Sequence, residues 1–192
     1  MRVLYACDLH GNLKLYGELF ELAARYGPEH IVLGGDLLPF RGSLFEMPAE
    51  QRVFVDSYLK PALIELKDCI PQVSVYILHG NGDLTSSLDV LQKLEQTGMV
   101  KMLHNHSHRF GSWYQVVGYA HVGPTPFAVK DGERRDCRDD APVPSQSKGF
   151  LSNGGEMACV DLKKYFNSTK SIEAELKDMP RPSDWSKTVY VM

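Results

Sequence analysis

An α/β fold is predicted for this 192-residue chain from three observations. Short apolar, β-prone runs alternate with segments of helical period. Each of the clearest runs ends abruptly in Gly, Asp or Asn. The first run, helix and second run have the proportions of a βαβ unit, which places neighbouring strands parallel.

The run Arg2 to Ala6 is short and apolar, as a buried parallel strand should be, and ends in the polar stretch Asp8 to Asn12. From Leu13 to Tyr26, apolar residues at 15, 19, 22, 23 and 26 follow a helical period, with Asn12 as the N-cap and Gly27-Pro28 as the stop. His30 to Leu33 is the second strand, closed by Gly34-Gly35. Glu50 to Cys69 reads as a longer helix in which Pro61 imposes a kink or a division in two. Val73 to Leu78 is the third strand and runs into Gly80-Asn81-Gly82-Asp83; Ser86 to Gln96 is a helix capped by Ser86 or Ser87.

The second half is less regular. Strands are expected at Val100 to Leu103, Tyr114 to Ala120, Met157 to Leu162 and Thr188 to Met192, and a helix at Ser171 to Met179. The Pro- and charge-rich stretch from Pro124 to Gly149 is expected to form a long surface loop or lid, with the charge run Lys130 to Asp140 solvated. No internal repeat occurs, so residues 1–192 are read as a single domain.

With 43% hydrophobic and 23% charged residues the chain is composed like a soluble globular domain, and a net charge of −3 supplies no broad basic field for nucleic acid or membrane. The four cysteines, Cys7, Cys69, Cys137 and Cys159, form no C-x-x-C pair. Reduced thiols and a cytoplasmic setting are expected, with Cys7 a buried small hydrophobe. No export signal is read at the N-terminus.

Three polar motifs follow the three clearest strands: Asp8-Leu9-His10, Gly35-Asp36 and Gly80-Asn81-Gly82-Asp83. Ligands of open α/β sheets bind beyond the carboxyl ends of the strands, so these motifs are expected to converge. Asp8 and His10, two apart, would face the same side of an extended backbone and offer one metal a carboxylate and an imidazole. Asp36 has two oxygens with which to bridge two ions. The Asn81 amide oxygen suits manganese, iron or magnesium better than a closed structural zinc site. Asp83 is read as a group that orients its neighbours. Singly, each is as readily a turn residue; jointly, the ligand reading is stronger.

In these motifs and their order the chain resembles the calcineurin-like metallophosphoesterase superfamily, whose first signatures are D-x-H, G-D-x and G-N-[H, C or D]-[D or E]. Gly118-Tyr119 and Pro124-Thr-Pro-Phe-Ala-Val-Lys-Asp131 are similar to features of a bacterial branch. The resemblance implies a sandwich of β-sheets flanked by helices and hydrolysis of a phosphorylated substrate by metal-activated hydroxide. It also implies two divalent ions (manganese, iron or zinc), with Asp8, His10, Asp36 and Asn81 as ligands and Asp36, Asn81 and Asp83 as catalytic residues. The family commonly has His where Gly82 stands. Its lone His after a late strand and its G-H-x-H loop are also missing here, so the chain is expected to be truncated.

A second reading keeps the fold as a non-catalytic binding or scaffold protein. The final strand, Thr188 to Met192, is also expected to offer an edge for pairing with another copy. His104, His106 and His108 alternate as in an edge strand rather than a ligand set. His79 is read as packing at a strand end and His121 as a loop residue, either available if the family histidines are absent. Arg134, Arg135 or Arg138 would reach a phosphate if their segment folds over the site.

Overall fold

The computed structural model describes residues 1–139 and 146–192. Strands β1 (Val3–Ala6), β2 (His30–Gly34), β3 (Ser74–Leu78) and β4 (Lys101–Met102) form a parallel sheet in that order. A second, mixed sheet has β5 (Ser107–Phe110), β6 (Tyr114–Gly118) and β9 (Thr188–Val191), with β6 and β9 parallel. Strands β7 (Lys148–Asn153) and β8 (Glu156–Asp161) form an antiparallel pair. This is a mixed α/β architecture of parallel and mixed sheets flanked by helices.

Side-chain alternation divides the parallel sheet between two cores. Ile31, Leu33, Val75 and Ile77 point to the helical layer of α1 (Leu13–Tyr26), α2 (Met47–Phe54), α3 (Lys60–Cys69) and α4 (Leu88–Gln96). Val32, Tyr76 and Leu78 point the other way, onto Phe110, Val116 and Val191 of the mixed sheet. Layering between helices and a second sheet accounts for the nearly unbroken apolar character of β2 and β3.

Strand β1 differs from its expected burial. It lies at the sheet edge, and Val3 and Tyr5 are exposed, because β2 pairs along only one side of it. Helix α1 has the expected bounds: the Asn12 side chain accepts from the Lys14 and Leu15 amides, and Gly27 closes it at φ 53°. Its buried face is nevertheless Tyr16, Leu19 and Ala23, while Leu15, Leu22 and Tyr26 are exposed. Apolar spacing alone selected a wider face than the one the rest of the fold covers.

The helix expected from Glu50 starts earlier, at Met47, and is interrupted as Pro61 suggested. Between α2 and α3 a π turn, Val55–Leu59, takes the Lys60 amide back to the Val55 carbonyl, one residue further than an α-helical bond. Ser87 occupies the N-cap of α4 without a side-chain cap bond. Helix α5 (Leu162–Ser168) and strands β5 and β7 have no counterpart among the expected elements; α6 (Ile172–Asp178), capped by Ser171, does. Among the described residues, no helix is long and apolar enough to cross a membrane. Strand β9 lies at the edge of its sheet, with Tyr190 exposed.

His30, at the start of β2, is buried and stacks on Phe110 at 4.4 Å, and neither ring nitrogen has a hydrogen-bond partner among the described residues. Burial lowers its pKa; Lys101 and the N-terminus push the same way, against Glu29. A histidine depressed in the folded state binds its proton more readily when unfolded, so stability is full above the ordinary histidine range and falls as pH drops below it. His30→Phe is expected to shrink the loss of Tm between about pH 7.5 and pH 5. Parallel melts of both proteins check this, and equal losses would mean that His30 does not contribute.

Candidate metal centre

The three strand-end motifs meet at the carboxyl end of the parallel sheet. Asp8, Gly35, Asp36, Gly80 and Asn81 line one cleft of about 160 Å³. Ligand-capable atoms of Asp8, His10 and Asp36 all lie within 4.8 Å of one another, with His10 Nε2 3.9 Å from Asp36 Oδ2.

The local backbone is not the extended one expected. Asp8, His10 and Asp36 have φ of 57°, 45° and 52°, in the left-handed region that non-glycine residues seldom occupy. Alternation along a strand therefore does not bring Asp8 and His10 together. Instead, the loop after β1 is bonded to the loop after β2: the Asp8, His10 and Gly11 amides donate to the Gly35, Asp36 and Leu37 carbonyls at 3.0, 2.8 and 2.8 Å. Pro39 packs where a Cβ on Gly11 would stand, at 2.5 Å, so glycine there permits the close approach of the two loops. Three strained residues carrying the three potential ligands are the kind of clustering found at functional sites.

The loop after β3 is fastened to the same place. Gly82 N–H donates to Asp36 Oδ1 at 2.8 Å, and a Cβ on Gly80 would come within 2.2 Å of that oxygen. Glycine at 80 lets the third loop cross directly over Asp36. A side chain at Gly82 would begin 3.1 Å from Asp36 Oδ1.

Asp83 is buried beneath the cleft. Its carboxylate accepts from the Leu37, Leu38 and Gly80 amides at 2.9, 2.7 and 2.8 Å, joining the second and third loops. Burial pushes its pKa up to about 6, although those amides pull it down; the Asp36 charge adds to the rise.

Cys7 is exposed rather than buried, because it follows the edge strand. A hydrogen bond to Asp8, then burial and the Asp8 charge, push its thiol up, which disfavours the thiolate and with it a nucleophilic role.

The charge run is only partly solvated as expected. Lys130, Asp131 and Glu133 are buried, Asp136, Arg138 and Asp139 are exposed, and Asp140 lies outside the described residues. Asp131 accepts from the Thr85 and Ser152 amides at 2.8 and 2.7 Å, and a Cβ on Gly132 would be 3.0 Å from Asn81 Cα. The segment packs directly on the third loop. Arg134 bonds Glu175 at 3.2 Å and the Tyr165 hydroxyl at 2.6 Å.

Sequence reasoning missed a second histidine group. His79, His104 and His121 present ligand-capable nitrogens within 4.8 Å of one another. The alternating trio does not assemble: His106 turns to the His104 carbonyl and His108 to the Met102 carbonyl. His79, His104 and His121 are far apart along the chain and obey no common period, so spacing carried no signal for them.

Fold and site together define an α/β protein with acidic and histidine side chains gathered at adjacent parallel strand ends. No protein-family profile and no curated protein matches the chain. Among solved structures it is similar to TT1561 of Thermus thermophilus, at 17% identity over 65% of this chain and 53% of that one, with a TM-score of 0.47. It is also similar to YfcE, a phosphoesterase from E. coli, at 15% identity over 84% of this chain and 99% of that one, with a TM-score of 0.38. The chain thus spans about half the length of TT1561.

Proposed function

We propose that this chain is a metal-dependent phosphoester hydrolase. The observation that carries the reading is the convergence of Asp8, His10 and Asp36 within 4.8 Å at the ends of β1 and β2. One imidazole and two carboxylates form a donor set that fits a hard or borderline divalent cation such as manganese, iron or zinc.

Asp8 and His10 would hold one ion, Asp36 would offer its second oxygen to another, and Asn81 would add an amide oxygen from the opposite wall. Bound ions supply Lewis-acid polarisation of a phosphoryl oxygen and acidify water. The Gly82 amide holds Asp36 Oδ1, and Asp83 keeps the second and third loops at fixed spacing beneath it. The donors are thus positioned before any ion arrives.

Elemental analysis after incubation with manganese tests the reading. About two ions per chain are expected, and their loss is expected in Asp36→Asn. No bound manganese in the unaltered chain would overturn the metal centre and favour the non-catalytic binding or scaffold reading.

A further inference from the structure

His79 follows β3, His104 follows β4 and His121 follows β6, so the three come from both sheets where these lie against each other. Ring centroids of His79 and His104 are 4.9 Å apart, and those of His104 and His121 are 4.5 Å apart. His79 is 6% exposed, and its Nδ1 is buried with no hydrogen-bond partner among the described residues. A buried nitrogen left without a partner is costly, and two other imidazoles lie beside its ring.

The surroundings resemble the outer shell of a metal site. His121 Nδ1 meets Glu175 Oε2 at 2.6 Å, which assigns the proton to Nδ1 and leaves the Nε2 lone pair free. Tyr119 donates to the same carboxylate oxygen at 2.7 Å, and Arg134 binds the other at 3.2 Å. His104 Nδ1 accepts from the Ala120 amide at 3.0 Å, which assigns its proton to Nε2, where the ring meets the side chain of Asn105 at 3.0 Å.

We infer that His79, His104 and His121 form a transition-metal site, with ligands other than those of the Asp8/His10/Asp36 group although His79 lines the same cleft, that takes Zn²⁺ or Co²⁺ through three neutral imidazoles. Glu175 is the carboxylate that orients His121. Three histidines leave a fourth position for water, a donor set that suits borderline cations rather than magnesium or calcium. Ligand bonds of about 2.0–2.1 Å bring pairs of nitrogens to roughly 3.3 Å, so small side-chain rotations must draw the rings together, and the Ala120 amide must release the His104 Nδ1 lone pair.

The protonation states agree. Burial and His121 lower His104 to about 4. Burial also lowers His121, against the Glu175 hydrogen bond. Burial alone would raise Glu175, yet the His121 and Tyr119 hydrogen bonds and the Arg134 charge hold it below its ordinary value. Near neutral pH the His104 and His121 rings are therefore neutral while Glu175 stays ionised.

The test uses Asp36→Asn as background, so that the proposed catalytic ions do not contribute. Co²⁺ is titrated alone and followed by its visible absorption, then displaced with Zn²⁺. About one Co²⁺ per chain with low-coordinate absorption is expected. Added His104→Gln or His121→Gln, each checked for folding by circular dichroism, is expected to abolish that absorption. Glu175→Gln is expected to weaken binding about 10- to 100-fold. Absence of Co²⁺ binding in the background protein would overturn the proposal. So would unchanged binding in a folded histidine variant. Neither result touches the manganese measurement on the unaltered chain, so the two readings fail separately.

Discussion

Asp36→Asn is expected to lower turnover of a generic aryl phosphate by at least about 100-fold, which corresponds to roughly 3 kcal/mol of lost transition-state stabilisation. The substitution removes one charge from the residue proposed to bridge two ions and changes little else. Asn is nearly isosteric with Asp and tolerates the left-handed region, and Asp36 sits at φ 52°. The Asn side-chain oxygen can still accept from Gly82, whose amide is 2.8 Å from Asp36 Oδ1. Loss of rate would therefore report lost charge rather than a collapsed loop. Steady-state kinetics under saturating manganese check this, and unchanged turnover would sink the proposed mechanism.

The second large effect concerns stability. Lys130 and Glu133 are each 1% exposed and are paired at 3.1 Å, and Lys130 Nζ also donates to the Thr125 carbonyl at 2.7 Å. Lys130→Met is expected to destabilise the chain by about 3–5 kcal/mol, because the Glu133 carboxylate would remain buried without its cation. The double variant Lys130→Met/Glu133→Leu is expected to recover much of that loss, since two apolar side chains leave no uncompensated charge. Urea denaturation of both variants separates the outcomes. Equal losses in single and double variants would show that the pair holds the segment by shape rather than by charge.

These residues show where local reading of the chain stops. Helix α1 was readable because its signals are local: Asn12 caps it, and Gly27 ends it. Strands β2 and β3 were readable because both faces are buried, leaving continuous apolar runs. Which apolar residues of α1 face inward was not, since that depends on the direction from which the sheet covers it. The depth of Lys130, Asp131 and Glu133 was invisible for a related reason: a charged residue paired inside and one solvated outside have the same composition.

For the candidate site, the convergence of the three strand-end motifs followed from the chain alone. Asp8, Asp36 and Asn81 each follow an apolar run, and parallel strands place such residues at one end of a sheet. The geometry did not follow. Asp8 and His10 meet Asp36 through left-handed backbone and bonds between loops separated by a helix, which no spacing within one segment encodes. Pairing of His79 with His104 and His121 likewise depends on how one sheet lies against the other. Local pattern specifies elements and the ends at which polar residues fall; long-range packing specifies which of those residues share a cavity and which charges are buried, because these depend on partners distant along the chain.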